Sequence, residues 1–187
     1  YMADAEASAK AQAYLKECMA AQDSSGGVIE CRVSGLPAGL GTPVFDKLDA
    51  CLGKALFSIG AVKAVEIGDG IDAARAKGSS NNDGFFHDAD GAVKKSTNHA
   101  GGVLGGISDG SDLILRAHIK PTPSISSPQN TVNQDGEDIQ IRIKGRHDPV
   151  IVPRAVVVVE SMTALTLVDA LLTGMGARME NLKKVWK

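Results

Sequence analysis

Residues 97–124 read TNHAGGVLGGISDGSDLILRAHIKPTPS, and the fold turns on how this stretch divides. Gly101, Gly102, Gly105, Gly106 and Gly110 crowd its first half. A residue without a Cβ reaches positive φ at little cost and lets backbone or ligand come close. From Leu113 the period becomes two. Leu113, Leu115, Ala117 and Ile119 fall on one face, and Arg116, His118 and Lys120 on the other. The pattern predicts a half-buried strand with a cationic stripe, stopped by the turn Pro121-Thr122-Pro123-Ser124. Close backbone beside a row of cations suits an anionic planar ligand, such as a nucleotide or a flavin phosphate. A glycine-rich hairpin with a solvated strand face accounts for the same residues.

On the N-terminal side, residues 3–22 are alanine-rich good helix formers, stopped by Asp23-Ser24-Ser25-Gly26-Gly27. Residues 28–33 alternate and read as a strand, and 35–43 as a glycine- and proline-rich loop. Phe45, Leu48, Leu52, Leu56 and Ile59 mark a helical face, and 62–67 a second strand. Strand, helix and strand in succession point to a mixed α/β or α+β fold. Residues 68–96 and 126–136 are polar, without periodicity, and are expected as long loops. Ile139, Ile141 and Ile143 predict a further strand. Pro153 opens a last helix, apolar nearly all round, which is expected to be buried in the core or between subunits, with Gly174 and Gly176 as its stops.

At 187 residues, 43% hydrophobic and 22% charged, the chain has the composition of a globular protein with one core or two small ones. A net charge of −2 and 4% aromatic residues argue against a dedicated nucleic-acid binder. Cys18, Cys31 and Cys51 have no metal spacing and read as reduced, packed thiols; the four histidines show no ligand spacing either. No basic segment with an apolar core is visible at the start, and no uninterrupted apolar run approaches ~18 residues. The expectation is a cytoplasmic protein with no membrane span.

Arg146, Asp148 and Arg154 cluster around a glycine and two prolines after the last predicted strand. Asp148 could cap the following helix or pair with an arginine. It could equally handle a proton beside a ligand gripped by an arginine fork.

Four segments then carry a resemblance: residues 35–70, GLPAGLGTPVFDKLDACLGKALFSIGAVKAVEIGDG; 97–110, TNHAGGVLGGISDG; 118–125, HIKPTPSI; and 144–156, KGRHDPVIVPRAV. In this order they resemble chorismate synthases. The resemblance implies helices sandwiched between sheets in one domain, a homotetramer, and an FMN-dependent lyase of the shikimate pathway. Members convert 5-enolpyruvylshikimate 3-phosphate to chorismate by 1,4-anti elimination of phosphate, with reduced FMN required although no net oxidation occurs. The family's flavin contacts fall on Gly60, Ala61, Gly105, Lys120, Pro121, Thr122, Pro123, Ser124 and Arg146, with Asn98 a weaker candidate. Arg146 also serves substrate, and Asp148 matches the aspartate proposed to assist proton movement at the flavin N5.

The sequence departs from the family in two ways. No GESHG and no GRSSARET-type segment occurs in these 187 residues. Those segments carry the family's catalytic histidines and most substrate-binding arginines, so the sequence looks like a C-terminal portion; a lone copy is expected to lack the general acid. A non-catalytic flavin-binding or oligomerisation fragment is the other reading. Asp109 stands where the family usually has a neutral residue, and its charge is expected to disfavour anionic reduced flavin nearby.

Overall fold

The computed structural model describes residues 2–145 and 147–186; Tyr1, Arg146 and Lys187 lie outside the described residues. The first part of the chain forms α1 (Ala5–Ala20), β1 (Gly27–Val33), α2 (Leu48–Phe57), β2 (Val62–Ile67), a 3-10 helix (Gly70–Arg75) and α3 (Gly78–Asn81). Short strands follow: β3 (Phe85–His87), β4 (Val93–Lys95), β5 (Val103–Leu104) and β6 (Ile107–Ser108). Then come β7 (Leu113–Ile119), β8 (Gln129–Val132), β9 (Asp138–Ile141), α4 (Val152–Met175) and α5 (Met179–Val185).

The main sheet is antiparallel with order β1-β7-β2, so the period-two stretch is its central strand. Leu115 sits opposite Cys31 on one side and Ile67 on the other. Leu113, Leu115 and Ala117 are 0% exposed and Ile119 4%, as alternation requires. Leu48, Leu52 and Leu56 of α2 recur every four residues and pack into the same core, as do Val159 and Leu167 of α4. At roughly 1.5–3 kcal/mol per fully buried aliphatic side chain, this single layer dominates the apolar stabilisation. Thr163 is buried within the α4 face because its hydroxyl donates to the Val159 carbonyl (2.8 Å).

Helix α2 begins three residues later than the spacing predicts. Leu48 N–H donates to the Gly106 carbonyl (2.8 Å), and Thr42 N–H to the Asp46 carbonyl (3.1 Å), so 42–47 is a turn. Phe45, expected on the helix face, is 88% exposed. The two polar stretches expected as loops hold short elements: the 3-10 helix, α3 and the β3–β4 hairpin in the first, and β8 in the second. Their strands are short and mostly exposed, so no apolar alternation marks them. Strand β9 pairs with β8 and ends at Ile141, short of Ile143.

Proline 153 lies in the first turn of α4 and Gly176 caps its end, whereas Gly174 is helical. The helix is long and apolar enough to cross a membrane by length and composition, with a mean hydropathy of 1.9. One face packs on α2 and β1. The other leaves Val157, Leu165, Val168 and Leu172 exposed, so the burial expected for this helix is met on one side only.

Leu52→Ala is expected to lower unfolding free energy by about 2–5 kcal/mol. Val132→Ala, exposed in the β8–β9 hairpin, is expected to change it by less than about 1 kcal/mol. Chemical denaturation of the two variants beside wild type checks both.

Candidate functional site

The KPTPS turn leaves the end of β7 because Pro121 and Pro123 cannot donate to a sheet ladder. Three connections tie it to β2 and to the α1–β1 turn, beside the Gln129 side chain, which donates to the Pro123 carbonyl (3.2 Å). Lys120 N–H donates to the Ala61 carbonyl (2.9 Å), joining it to the turn before β2. The Ser24 hydroxyl donates to the Thr122 carbonyl (2.6 Å). Ser127 N–H donates to the Gln22 carbonyl (3.2 Å). The same α1–β1 turn reaches the loop before α4, where Ser25 N–H donates to the Pro149 carbonyl (2.7 Å). Glycine is needed at 26, where a Cβ would lie 2.4 Å from the Ile119 carbonyl oxygen.

Between these loops lies a cavity of about 220 Å³, lined by Met19, Gln22, Asp23 and Ser24 on one side and by Ser124, Ile125, Ser126, Gly145, His147, Asp148 and Pro149 on the other. Asp148 is held by Arg154 in a fork, with contacts of 2.8 and 3.2 Å. The pairing expected from sequence is therefore present; Asp148 does not cap α4, whose N-cap, Ile151, has no side-chain bond. Thr122 Oγ1 and His147 Nε2 are buried without a hydrogen-bond partner among the described residues. Among the described residues, two of the three non-glycine residues with positive φ, Gln22 (57°) and Ala61 (71°), border this region. Side chains in the left-handed region store strain, which concentrates at functional sites.

Of the residues expected at the site, the structure brings Ala61, Lys120–Ser124 and Asp148 to one end of β7, with Gly60 facing open space beside them. Arg146 lies outside the described residues. Asn98 and Gly105 do not join that group. Asn98 Nδ2 donates to the Asp112 carbonyl (2.8 Å), just before β7 begins, and its Oδ1 accepts from Gly102 N–H and Lys95. A seven-residue strand spans roughly 20 Å, which separates the two ends. Gly105 lies in the β5–β6 turn beside the start of α2, with open space at its α-carbon. The cationic stripe is mostly neutralised. Arg116 bonds Glu30 (2.8 Å) and lies 3.8 Å from Glu66; His118 Nε2 is 3.3 Å from Glu66 but makes no hydrogen bond among the described residues, and Lys120 is exposed.

Sequence reasoning missed a buried ionic cluster at the far end. Lys95 Nζ lies 3.1 Å from Asp83 and 2.7 Å from Asp109, all three side chains under a tenth exposed. Asp83 also accepts from the Thr97 hydroxyl and from His99 and Ala100 N–H. Burial pushes its carboxyl up, but these donors outweigh burial and hold it well below the usual carboxylate range. Burial likewise works against ionisation of Asp109, and Lys95 and Ser111 hold it low. Asp109 is thus paired with Lys95, which it shares with Asp83. His99 Nδ1 lies 2.7 Å from Asp69 in the same region. A larger hollow, about 560 Å³, is lined by the exposed β8–β9 hairpin, and among the described residues none of those expected at the site borders it.

The fold agrees with that of known proteins. A family model described as chorismate synthase matches residues 1–172. The chain belongs to the chorismate synthase family. It is 63% identical to the chorismate synthase of Lachnoclostridium phytofermentans over 186 residues, covering 100% of this chain and 51% of that protein. The Agathobacter rectalis chorismate synthase is also 63% identical, over 187 residues with the same coverages. A crystal structure of chorismate synthase superposes with a TM-score of 0.73 at 32% identity, over 94% of this chain and 46% of that one. The α+β fold is therefore shared, and the chain spans about half the length of the curated relatives it matches.

The Asp83 cluster makes a pH prediction. A carboxylate depressed in the folded state stabilises fully above the unfolded value near 3.9 and loses that contribution as pH falls toward the folded value. Thermal unfolding followed from about pH 6 to pH 3 is expected to show the melting temperature falling on the acid side. In Asp83→Asn the melting temperature starts lower at pH 6 and falls less.

Proposed function

We propose that this chain forms the flavin- and substrate-binding half of a chorismate synthase, which eliminates phosphate from 5-enolpyruvylshikimate 3-phosphate to give chorismate. The observation that carries the reading is the cavity at the end of β7, where the KPTPS turn and Asp148 meet. His147 Nε2 in its wall, and Thr122 Oγ1 on the residue whose carbonyl the lining Ser24 holds, are buried without a hydrogen-bond partner among the described residues. A buried polar group without a partner costs about 1–3 kcal/mol, a cost that a ligand hydrogen bond removes. These residues fit reduced FMN: backbone and hydroxyls for a polar ring edge, and an exposed lysine for a phosphate. At about 220 Å³ the cavity is smaller than the ~300 Å³ of typical ligand sites, so it encloses only part of such a molecule.

Gly60, Ala61 and Lys120–Ser124 would hold the flavin, with Arg146 assigned to flavin and substrate by resemblance alone. Reduced FMN held there would supply the transient electron that phosphate elimination needs. Asp148, positioned by Arg154, would move a proton at the flavin N5. Asn98 is assigned to the loop it organises, since its amide is already bonded at both ends. A cytoplasmic homotetramer belongs to the same reading, supported by the exposed apolar face of α4.

The protein is expected to bind FMN saturably, read by flavin fluorescence, and to bind 5-enolpyruvylshikimate 3-phosphate more tightly with flavin present. Asp148→Asn is expected to keep flavin affinity within about threefold. In a polypeptide that joins this chain to GESHG- and GRSSARET-type segments, the same change cuts anaerobic chorismate formation by about a hundredfold or more. Failure of FMN to bind contradicts the reading.

A further inference from the structure

The turn between α1 and β1 reads in sequence as no more than a helix stop. In the structure it touches both ligand loops. Its backbone accepts at Gln22 from Ser127 N–H and donates at Ser25 to Pro149, while the Ser24 hydroxyl donates to the Thr122 carbonyl at 2.6 Å. The Ser127 hydroxyl adds contacts of 3.1 Å to the Ala21 and Gln22 carbonyls. Asp23 Oδ1 accepts from Ser24 N–H (2.8 Å), which fixes the start of the turn. The turn also supplies part of the cavity wall.

We propose that this turn is a clasp that sets the spacing between the KPTPS turn and the Asp148 loop, and that Ser24 is a positioning residue for the ligand held there. The proposal rests on the flavin reading above. The physical case lies in what each partner would do without the clasp. The KPTPS turn carries two prolines and cannot anchor itself by ladder bonds. Its attachment at Lys120 fixes its beginning, and the Gln129 side chain holds the Pro123 carbonyl (3.2 Å), which leaves Thr122 between them to Ser24. The Ser24 hydroxyl holds the carbonyl of the residue whose own side-chain oxygen is buried without a partner, so it aims Thr122 Oγ1. The Ser25 bond ties that arrangement to Pro149, next to Asp148. Strain at Gln22, with φ of 57°, is tolerated where surrounding bonds over-determine the backbone.

Two readouts on the whole chain test this. The first is amide hydrogen exchange without ligand. Ser24→Ala is expected to speed exchange at Ser25 and Ser127 about fivefold, the worth of one hydrogen bond. Ser24→Thr, which keeps the hydroxyl, stays within about twofold of wild type. The second is FMN affinity by fluorescence titration: Ser24→Ala weakens it about fivefold and Ser24→Thr restores it. Unchanged exchange in Ser24→Ala overturns the clasp, whatever happens to flavin. Faster exchange with unchanged affinity overturns the positioning role. If wild type binds no FMN, the flavin reading falls, and exchange still decides the clasp.

Discussion

Strand β7 is the constraint from which the rest follows. It is bonded along both edges, to β1 and β2, and buries its apolar face against α2 and α4. A one-residue slip would send Leu113, Leu115, Ala117 and Ile119 to the opposite face and Arg116 and His118 into the core. Register is therefore fixed by burial. Once it is fixed, so is what leaves each end: the glycine-rich segment at one and the KPTPS turn at the other.

The two ends are built on different physics. At the glycine-rich end, three ionisable side chains are buried together and nearly every donor and acceptor is matched. Gly68 and Gly101 pack backbone against backbone there, where a Cβ would meet main-chain atoms at 2.1–2.2 Å. Such an end is rigid and complete. At the KPTPS end the walls come from loops, and three polar side-chain atoms, His118 Nε2, Thr122 Oγ1 and His147 Nε2, have no hydrogen-bond partner among the described residues. Proteins place ligand chemistry on loops carried by a rigid scaffold, and here one strand supplies scaffold and loop in sequence.

Much of this was legible in the sequence. The alternation from Leu113 to Ile119, the leucine spacing of α2 and the Pro153 start of α4 each encode burial locally, and the structure follows them. Lys95 was not legible, because a lysine in a polar stretch reads as solvated until the fold brings Asp83 and Asp109 to it. Both carboxylates lie more than ten residues away in sequence. The β3–β4 and β8–β9 hairpins escaped because exposed strands carry no apolar period. Ser24 escaped because its partner is a backbone carbonyl 98 residues on, which no side-chain pattern marks. At the site, motif resemblance picked out the KPTPS turn and Asp148; that Asn98 sits at the other end of β7 is a matter of strand length and register.

The most direct measurement is a crystal structure of the protein soaked with FMN. The account predicts the flavin at the KPTPS end of β7, with Thr122 Oγ1 and His147 Nε2 each within hydrogen-bond distance of it. Flavin seated in the β8–β9 hairpin hollow, or anywhere that leaves both atoms without a partner, would contradict it.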